Sequence, residues 1–103
     1  METPREEVKE KVLEDLREIV KLAEGSVERM KRDIKKKREG NFKAMDWFYF
    51  FAWYGDCMEA RGQLAVAVRL MPSEEVKKLW ERAVEAHSKA CELRTVILGL
   101  KES

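Results

Sequence analysis

A chain of 103 residues, 45% hydrophobic and 40% charged, has room for a single domain with one core. This composition is too apolar for a disordered chain and too charged for a membrane-spanning protein. The 21 lysines and arginines nearly cancel the 20 aspartates and glutamates, so the net charge of +1 gives no global field that would favour nucleic acid or an anionic membrane.

The ends and the composition indicate where the protein works. Residues 1–6 include three charged side chains, and the apolar segment of a secretory signal does not follow them. The longest apolar run, 47–54, is far shorter than the roughly 20 residues of a membrane span. We therefore expect a cytoplasmic protein with reduced cysteines. Glu, Lys and Arg dominate while Asn41 and Gln63 are the sole amides, a bias typical of thermophilic archaea or bacteria.

The first predicted helix spans residues 4–38. Thr3 and Glu6 form a capping box around a proline at the first helical position. Gly25 falls on the outer face, where we expect at most a kink, and Gly40 follows a basic last turn and ends the helix. One apolar stripe runs through this segment at alternating spacings of three and four: Leu13, Leu16, Val20, Ala23, Val27, Met30 and Ile34.

Two more helices follow after short turns. Asn41 is predicted to cap a second helix over 42–71, and Ser73 a third over 74–98 that ends at Gly99. Connections this short require the three rods to run up, down and up. The sequence thus predicts an all-α fold, a three-helix antiparallel bundle that self-associates.

The start of the second helix is apolar around most of its circumference, and two partner helices cannot cover every side of it. A homodimer interface explains this pattern, and an aromatic-lined pocket for an apolar ligand is the alternative. Gly55 and Gly62, with Ala52 and Ala65, indicate close approach by a neighbouring helix. The predicted interface residues are Met45, Trp47, Phe48, Phe50, Phe51, Trp53 and Tyr54.

A basic cluster surrounds the first turn between helices. Phosphates would be attracted to it, although a solvated helix end whose cations complement the helix dipole explains it equally simply. No zinc-finger or other nucleic-acid signature accompanies it. The candidate nucleic-acid residues are Arg29, Arg32, Lys35, Lys36, Lys37, Arg38 and Lys43.

A metal site is a further candidate. His87 and Cys91 lie four residues apart on one helix, and the antiparallel register places Asp56 and Cys57 opposite them. The sequence favours a buried structural His87, bonded to Asp56 or to the backbone, over this metal site. We expect no disulfide, because the register offsets the cysteines by about one helical turn, and we predict no cofactor.

Two resemblances can be named. The segment 39–44, followed by Phe51-Ala52 and Gly55-Asp56, resembles the hairpin of small archaeal helical proteins of unassigned function, and this likeness implies only a helical fold. The spacing of Arg82 and His87 resembles that of the catalytic arginine and histidine of HEPN domains. This resemblance implies RNA cleavage in a cleft between the two copies of a dimer.

The sequence therefore favours a structural or protein-interaction module that forms a homo-oligomer. An RNA-binding or HEPN-like RNA-cleaving domain is the alternative. Few serines and a single histidine, with no Gly-rich phosphate loop, argue against a hydrolase triad, a kinase or an NTPase.

Overall fold

A computed structural model describes residues 4–100 of the chain. It contains three helices, α1 over Pro4–Arg38, α2 over Asp46–Leu70 and α3 over Glu74–Gly99. No strand occurs within the described residues. All three pairs of helices are in contact, so the predicted all-α three-helix bundle is confirmed.

The first helix, α1, is continuous for 35 residues. Gly25 does not interrupt it, and a Cβ atom at this position would meet only the guanidinium of Arg29, at 3.6 Å. The predicted cap Thr3 lies outside the described residues. The end is as predicted: Gly40 has a φ of 76°, its amide bonds to the carbonyl of Lys37, and the Asn41 amide bonds to that of Lys36. This pattern of paired bonds is a Schellman motif.

The second helix begins at Asp46, so the prediction that Asn41 caps a helix starting at Phe42 was wrong. The Asp46 carboxylate accepts a hydrogen bond from the backbone N–H of Lys43 at 2.7 Å, which holds the turn that precedes the helix. The ring of Phe42 lies edge-on to Trp47, with 4.9 Å between centroids. The connection therefore folds back onto α2, and the helix starts four residues later than predicted.

The third helix begins as predicted, because the Ser73 hydroxyl accepts a hydrogen bond from the backbone N–H of Val76 at 3.2 Å. Two carboxylates, Glu74 and Glu75, lie in its first turn, where they meet the positive end of the helix dipole.

Cross-helix pairs establish the up-down-up arrangement. Arg17 pairs with Glu75 and Arg82 with Glu24, each across 58 positions, so α1 and α3 run parallel and in register. Between α1 and α2 the order reverses, since Lys36 meets Asp46 while Ser26, ten residues earlier, meets Asp56, ten residues later. The bundle is thereby aligned along its whole length.

The core lies along the axis shared by the three helices. Alanines that are fully buried on every helix let the backbones approach closely. The largest fully buried side chains are Phe50, Met30, Leu64, Ile97, Val20 and Val76. Within residues 4–100, no helix combines the length and the apolar character that crossing a membrane requires.

Candidate functional site

The side of α2 that points away from the core is almost uncharged. We call it the α2 outer face. Nine of its residues are exposed, and Gly55 and Ala65 are half-buried. Glu59 and Arg69 are its only charged members. It consists of Met45, Phe48, Phe51, Ala52, Gly55, Met58, Glu59, Gly62, Ala65, Val66 and Arg69.

Large apolar side chains on this face are strongly exposed. Phe48 has 73% of its surface accessible, Met45 62% and Val66 56%. Leu70 and Tyr49, which flank the face, are exposed as well. Soluble proteins seldom expose several large apolar side chains on one helix face.

The other two helices differ from α2. Among the exposed positions of α1 between residues 5 and 38, only Val8 and Leu22 are uncharged. The exposed positions of α3 up to Arg94 are all charged except Ser88. Solvent contact therefore explains the outer side of α1 and that of α3 up to Arg94, and it does not explain the α2 outer face. Beyond Arg94, Val96 and Leu98 are exposed apolar side chains as well.

The glycines of α2 are not required by close packing within the described residues. A Cβ atom added at Gly55 or at Gly62 would have no heavy atom within 4 Å. The predicted close approach by a neighbouring helix therefore does not occur within the bundle. A glycine in a helix interior costs about 1 kcal/mol relative to alanine, and no contact within the described residues offsets this cost at either position.

The residues of the predicted aromatic interface divide into three groups by burial. Phe50 is fully buried in the core, so its assignment to the interface was wrong: helix periodicity turns it inward together with Cys57 and Leu64. Met45, Phe48 and Phe51 point outward. Trp47, Trp53 and Tyr54 are half-buried and pack against the core.

The exposed rings are braced by half-buried ones. Phe51 stacks on Trp47, with 5.7 Å between centroids, and Tyr49 stacks on Trp53 at 6.2 Å. The ammonium of Lys37 lies over the Trp47 ring, 4.9 Å from its centroid. These contacts restrict the rotation of the exposed rings.

His87 does not bond to Asp56, contrary to the prediction, because the register of α2 and α3 places Arg61 level with it instead. The Arg61 guanidinium lies 3.1 Å from His87 Nδ1. Since an arginine can only donate, Nδ1 accepts and the ring proton is on Nε2, which donates to Cys91 Sγ at 3.6 Å. His87 is half-buried, and desolvation, followed by the Arg61 charge, lowers its pKa.

The same sulfur has a second polar neighbour. The Tyr54 hydroxyl lies 3.6 Å from Cys91 Sγ and accepts a hydrogen bond from Arg94 at 3.2 Å. Two arginines thus flank a histidine, a thiol and a phenol along the groove between α2 and α3. The polar side chains in this groove are partners of one another within the chain, so they form a structural network.

The four candidate metal ligands separate into two pairs. Asp56 accepts a hydrogen bond from Ser26 at 3.0 Å, and the Cys57 thiol donates to the Ala23 carbonyl at 3.4 Å, so both point toward α1. His87 and Cys91 lie in the α2–α3 groove. Both cysteines are free thiols, and burial raises the pKa of Cys57 to about 11. Residues 4–100 contain no group of three potential metal ligands.

Arg82 and His87 face different neighbours. Arg82 makes two hydrogen bonds to the Glu24 carboxylate on α1, at 3.1 and 2.5 Å, whereas His87 faces α2. The hydrogen bonds to Glu24 raise the pKa of the Arg82 guanidinium. Within one chain the two residues therefore do not share a cleft.

The basic cluster is partly neutralised. Lys36 pairs with Asp46 at 3.1 Å, and Lys37 lies over Phe42 and Trp47. The other five candidate residues are exposed: Arg29, Arg32, Lys35, Arg38 and Lys43.

A buried carboxylate lies among these cations, and the sequence analysis assigned it no role. Asp33 is 4% exposed, and its Oδ2 has no hydrogen-bond partner. Desolvation raises its pKa to about 6, against the opposing charge of Lys36, while Asp46 adds to the rise. Its place next to Ile34 in the apolar stripe was the available signal.

A groove of about 730 Å³ separates α1 from α3. Its floor is apolar and includes Val27, Val84 and Ala86, and its walls carry five glutamates together with Lys31, Arg82 and Lys89. Because its lining carries charges of both signs, and Arg82 and Glu24 are already paired with each other, the groove does not resemble a site for a small ligand.

Most of the large hydrophobic side chains that are exposed within residues 4–100 thus lie on or beside the α2 outer face. Comparison with protein-family models, with curated proteins and with solved structures finds no match to this chain.

Proposed function

We propose that this chain is a protein-interaction module that pairs with a second copy of itself through the α2 outer face. The observation that carries the proposal is the exposure of Phe48, Phe51 and Met58 on a helix side with only two charged residues. Burying these side chains removes apolar surface from water, the main favourable term in protein association.

A second copy fits this face better than an unlike partner of strong charge. Glu59 and Arg69 balance each other, so the face attracts neither a strongly acidic nor a strongly basic surface. A surface that is equally apolar and neutral is its natural complement, and every other copy of the chain carries one. Two-fold pairing of identical patches is the commonest form of homo-oligomer.

The length of α2 limits the area of the interface. A helix of 25 residues is about 37 Å long, which places one helix face at the small end of specific interfaces. We therefore expect a dissociation constant in the micromolar range, near 1–10 µM as an order of magnitude.

The test compares Phe48→Glu with Leu22→Glu, by sedimentation velocity from about 1 to about 100 µM. Both changes replace an exposed apolar side chain with a carboxylate, but Leu22 lies on α1, away from the α2 outer face. We expect Phe48→Glu to be monomeric, and Leu22→Glu to dimerise like the wild type, with helical circular dichroism retained in both. A wild type that stays monomeric, or equal dimerisation by both variants, would contradict the proposal.

A further inference from the structure

The outermost row of the α2 outer face has the same order of side-chain sizes in both directions along the helix: large, small, small, large. This row contains Phe48, Gly55, Gly62 and Arg69, at intervals of seven residues. Gly55 and Gly62 are equally far from the point between residues 58 and 59, and so are Phe48 and Arg69. Ala52 and Ala65, which lie beside the row, are also equidistant from that point.

An antiparallel pair of α2 helices uses this symmetry. With a two-fold axis between residues 58 and 59, Gly55 of each copy meets Gly62 of the other, and the helix backbones can approach to about the 8 Å lower limit of helix packing. This contact gives both glycines the structural use that they lack within one chain, where a Cβ at either would meet nothing.

The ends of the row also become complementary in this direction. Each Phe48 ring, which is 73% exposed, lies opposite the Arg69 of the other copy, and a guanidinium over an aromatic face is attractive. In a parallel pair each residue of the row would meet its own counterpart instead. The two Arg69 guanidinium groups would then repel each other, and the aromatic rings would lack a cation.

We infer that two copies pair through an antiparallel α2–α2 contact, with a two-fold axis between Met58 and Glu59 and with Gly55 of one copy packed against Gly62 of the other. This inference rests on the proposed function, since it specifies how the two α2 outer faces meet. It assigns Arg69 as the residue that selects the antiparallel direction.

Disulfide trapping tests the direction. Copies with Gly55→Cys and copies with Gly62→Cys carry tags of different size, in a full-length background in which Cys57→Ala and Cys91→Ser remove the native thiols. After mixing and mild oxidation, the antiparallel contact predicts disulfides between the two kinds of copy, because their Cα atoms come within the ~7 Å that a disulfide allows. Disulfides mainly within each kind indicate a parallel pair and would overturn the inference.

A charge substitution tests the same point with both native cysteines in place. Arg69→Gln should weaken the dimer about two- to fivefold, because each Phe48 loses a cation. Lys77→Gln, on the exposed side of α3, should leave the dissociation constant unchanged. A tighter dimer for Arg69→Gln would indicate relief of repulsion in a parallel pair. If the wild type forms no dimer, the proposed function itself fails, whereas a dimer with the opposite response overturns only the direction.

Discussion

Ser26 donates a hydrogen bond from its hydroxyl to Oδ2 of Asp56 across 3.0 Å, and this bond joins α1 to α2 beside the buried core. Ser26 is fully buried and Asp56 is half-buried. A polar pair at this depth tolerates no slip of one helix against the other, because any slip leaves both groups without a partner.

Ser26→Ala should therefore lower the free energy of unfolding by about 1–2 kcal/mol, since it leaves a half-buried carboxylate oxygen without its donor. For a domain of this size we expect a fall in Tm of roughly 5 °C or more. The control is Ser88→Ala, at an exposed position of α3, which should change little. Urea unfolding of both variants gives the comparison, and equal stabilities would show that the Ser26 bond contributes nothing.

Asp33 predicts an unusual dependence of stability on pH. Its pKa rises to about 6 in the folded protein from an ordinary value of 3.8, so between these pH values the folded state holds a proton that the unfolded state has released. The contribution of Asp33 is thus most favourable below about pH 4 and is lost as the pH rises through 6.

Asp33→Asn should accordingly stabilise the protein at pH 7–8 by about 1–3 kcal/mol, and should flatten the change in stability between pH 4 and pH 6. Asp15→Asn, at an exposed position of the same helix, is the matched control. Urea unfolding at several pH values measures both. A loss of stability in Asp33→Asn at pH 7 would show that the carboxylate has a partner that stabilises its charged form.

Glu59 is the one acidic residue of the α2 outer face, and its carboxylate accepts a hydrogen bond from Gln63 at 2.9 Å. Next to a two-fold axis it faces its own counterpart, and the two negative charges repel. Glu59→Gln should tighten the dimer about threefold, and less so in high salt, which screens the repulsion in the wild type. Glu81→Gln on α3 serves as the control in sedimentation experiments. A weaker dimer for Glu59→Gln would place Glu59 in a favourable contact instead.

The exposed part of the basic cluster should bind RNA weakly and without sequence preference. Fluorescence anisotropy with a short mixed-sequence single strand should give a dissociation constant above about 1 µM that rises steeply with salt. Reversing Lys35 and Arg38 to Glu should abolish this binding, while the same change at Lys77 and Lys78 on α3 should reduce it far less. Tight binding to one sequence would favour a nucleic-acid function over the proposed one.

The sequence predicted the fold because its strongest local signals agree with the packing. Gly40 and Ser73 have their predicted roles at the two turns. The start of α2 could not be read in this way, since the helix begins behind Met45, which makes no side-chain capping hydrogen bond. The preceding turn is held instead by Asp46 and by the packing of Phe42 on Trp47, and a cap pattern does not reveal these contacts.

The candidate site was predicted in part, for a similar reason. The sequence pattern identified an apolar helix with one side that the two partner helices cannot cover. An unbroken aromatic run does not show which ring points inward, so Phe50 was assigned to the surface. The partner of His87 was wrong because a register error of about one turn exchanges Asp56 for Arg61. Exact pairs across helices depend on such offsets, which helical spacing alone does not fix.

Sedimentation equilibrium of the wild-type chain at about 100 µM tests the central claim most directly, because that concentration is well above the expected dissociation constant. The α2 outer face predicts a mass of about 24 kDa, twice the 12.1 kDa of one chain, falling toward the monomer on dilution. A mass of 12.1 kDa at every concentration would contradict it.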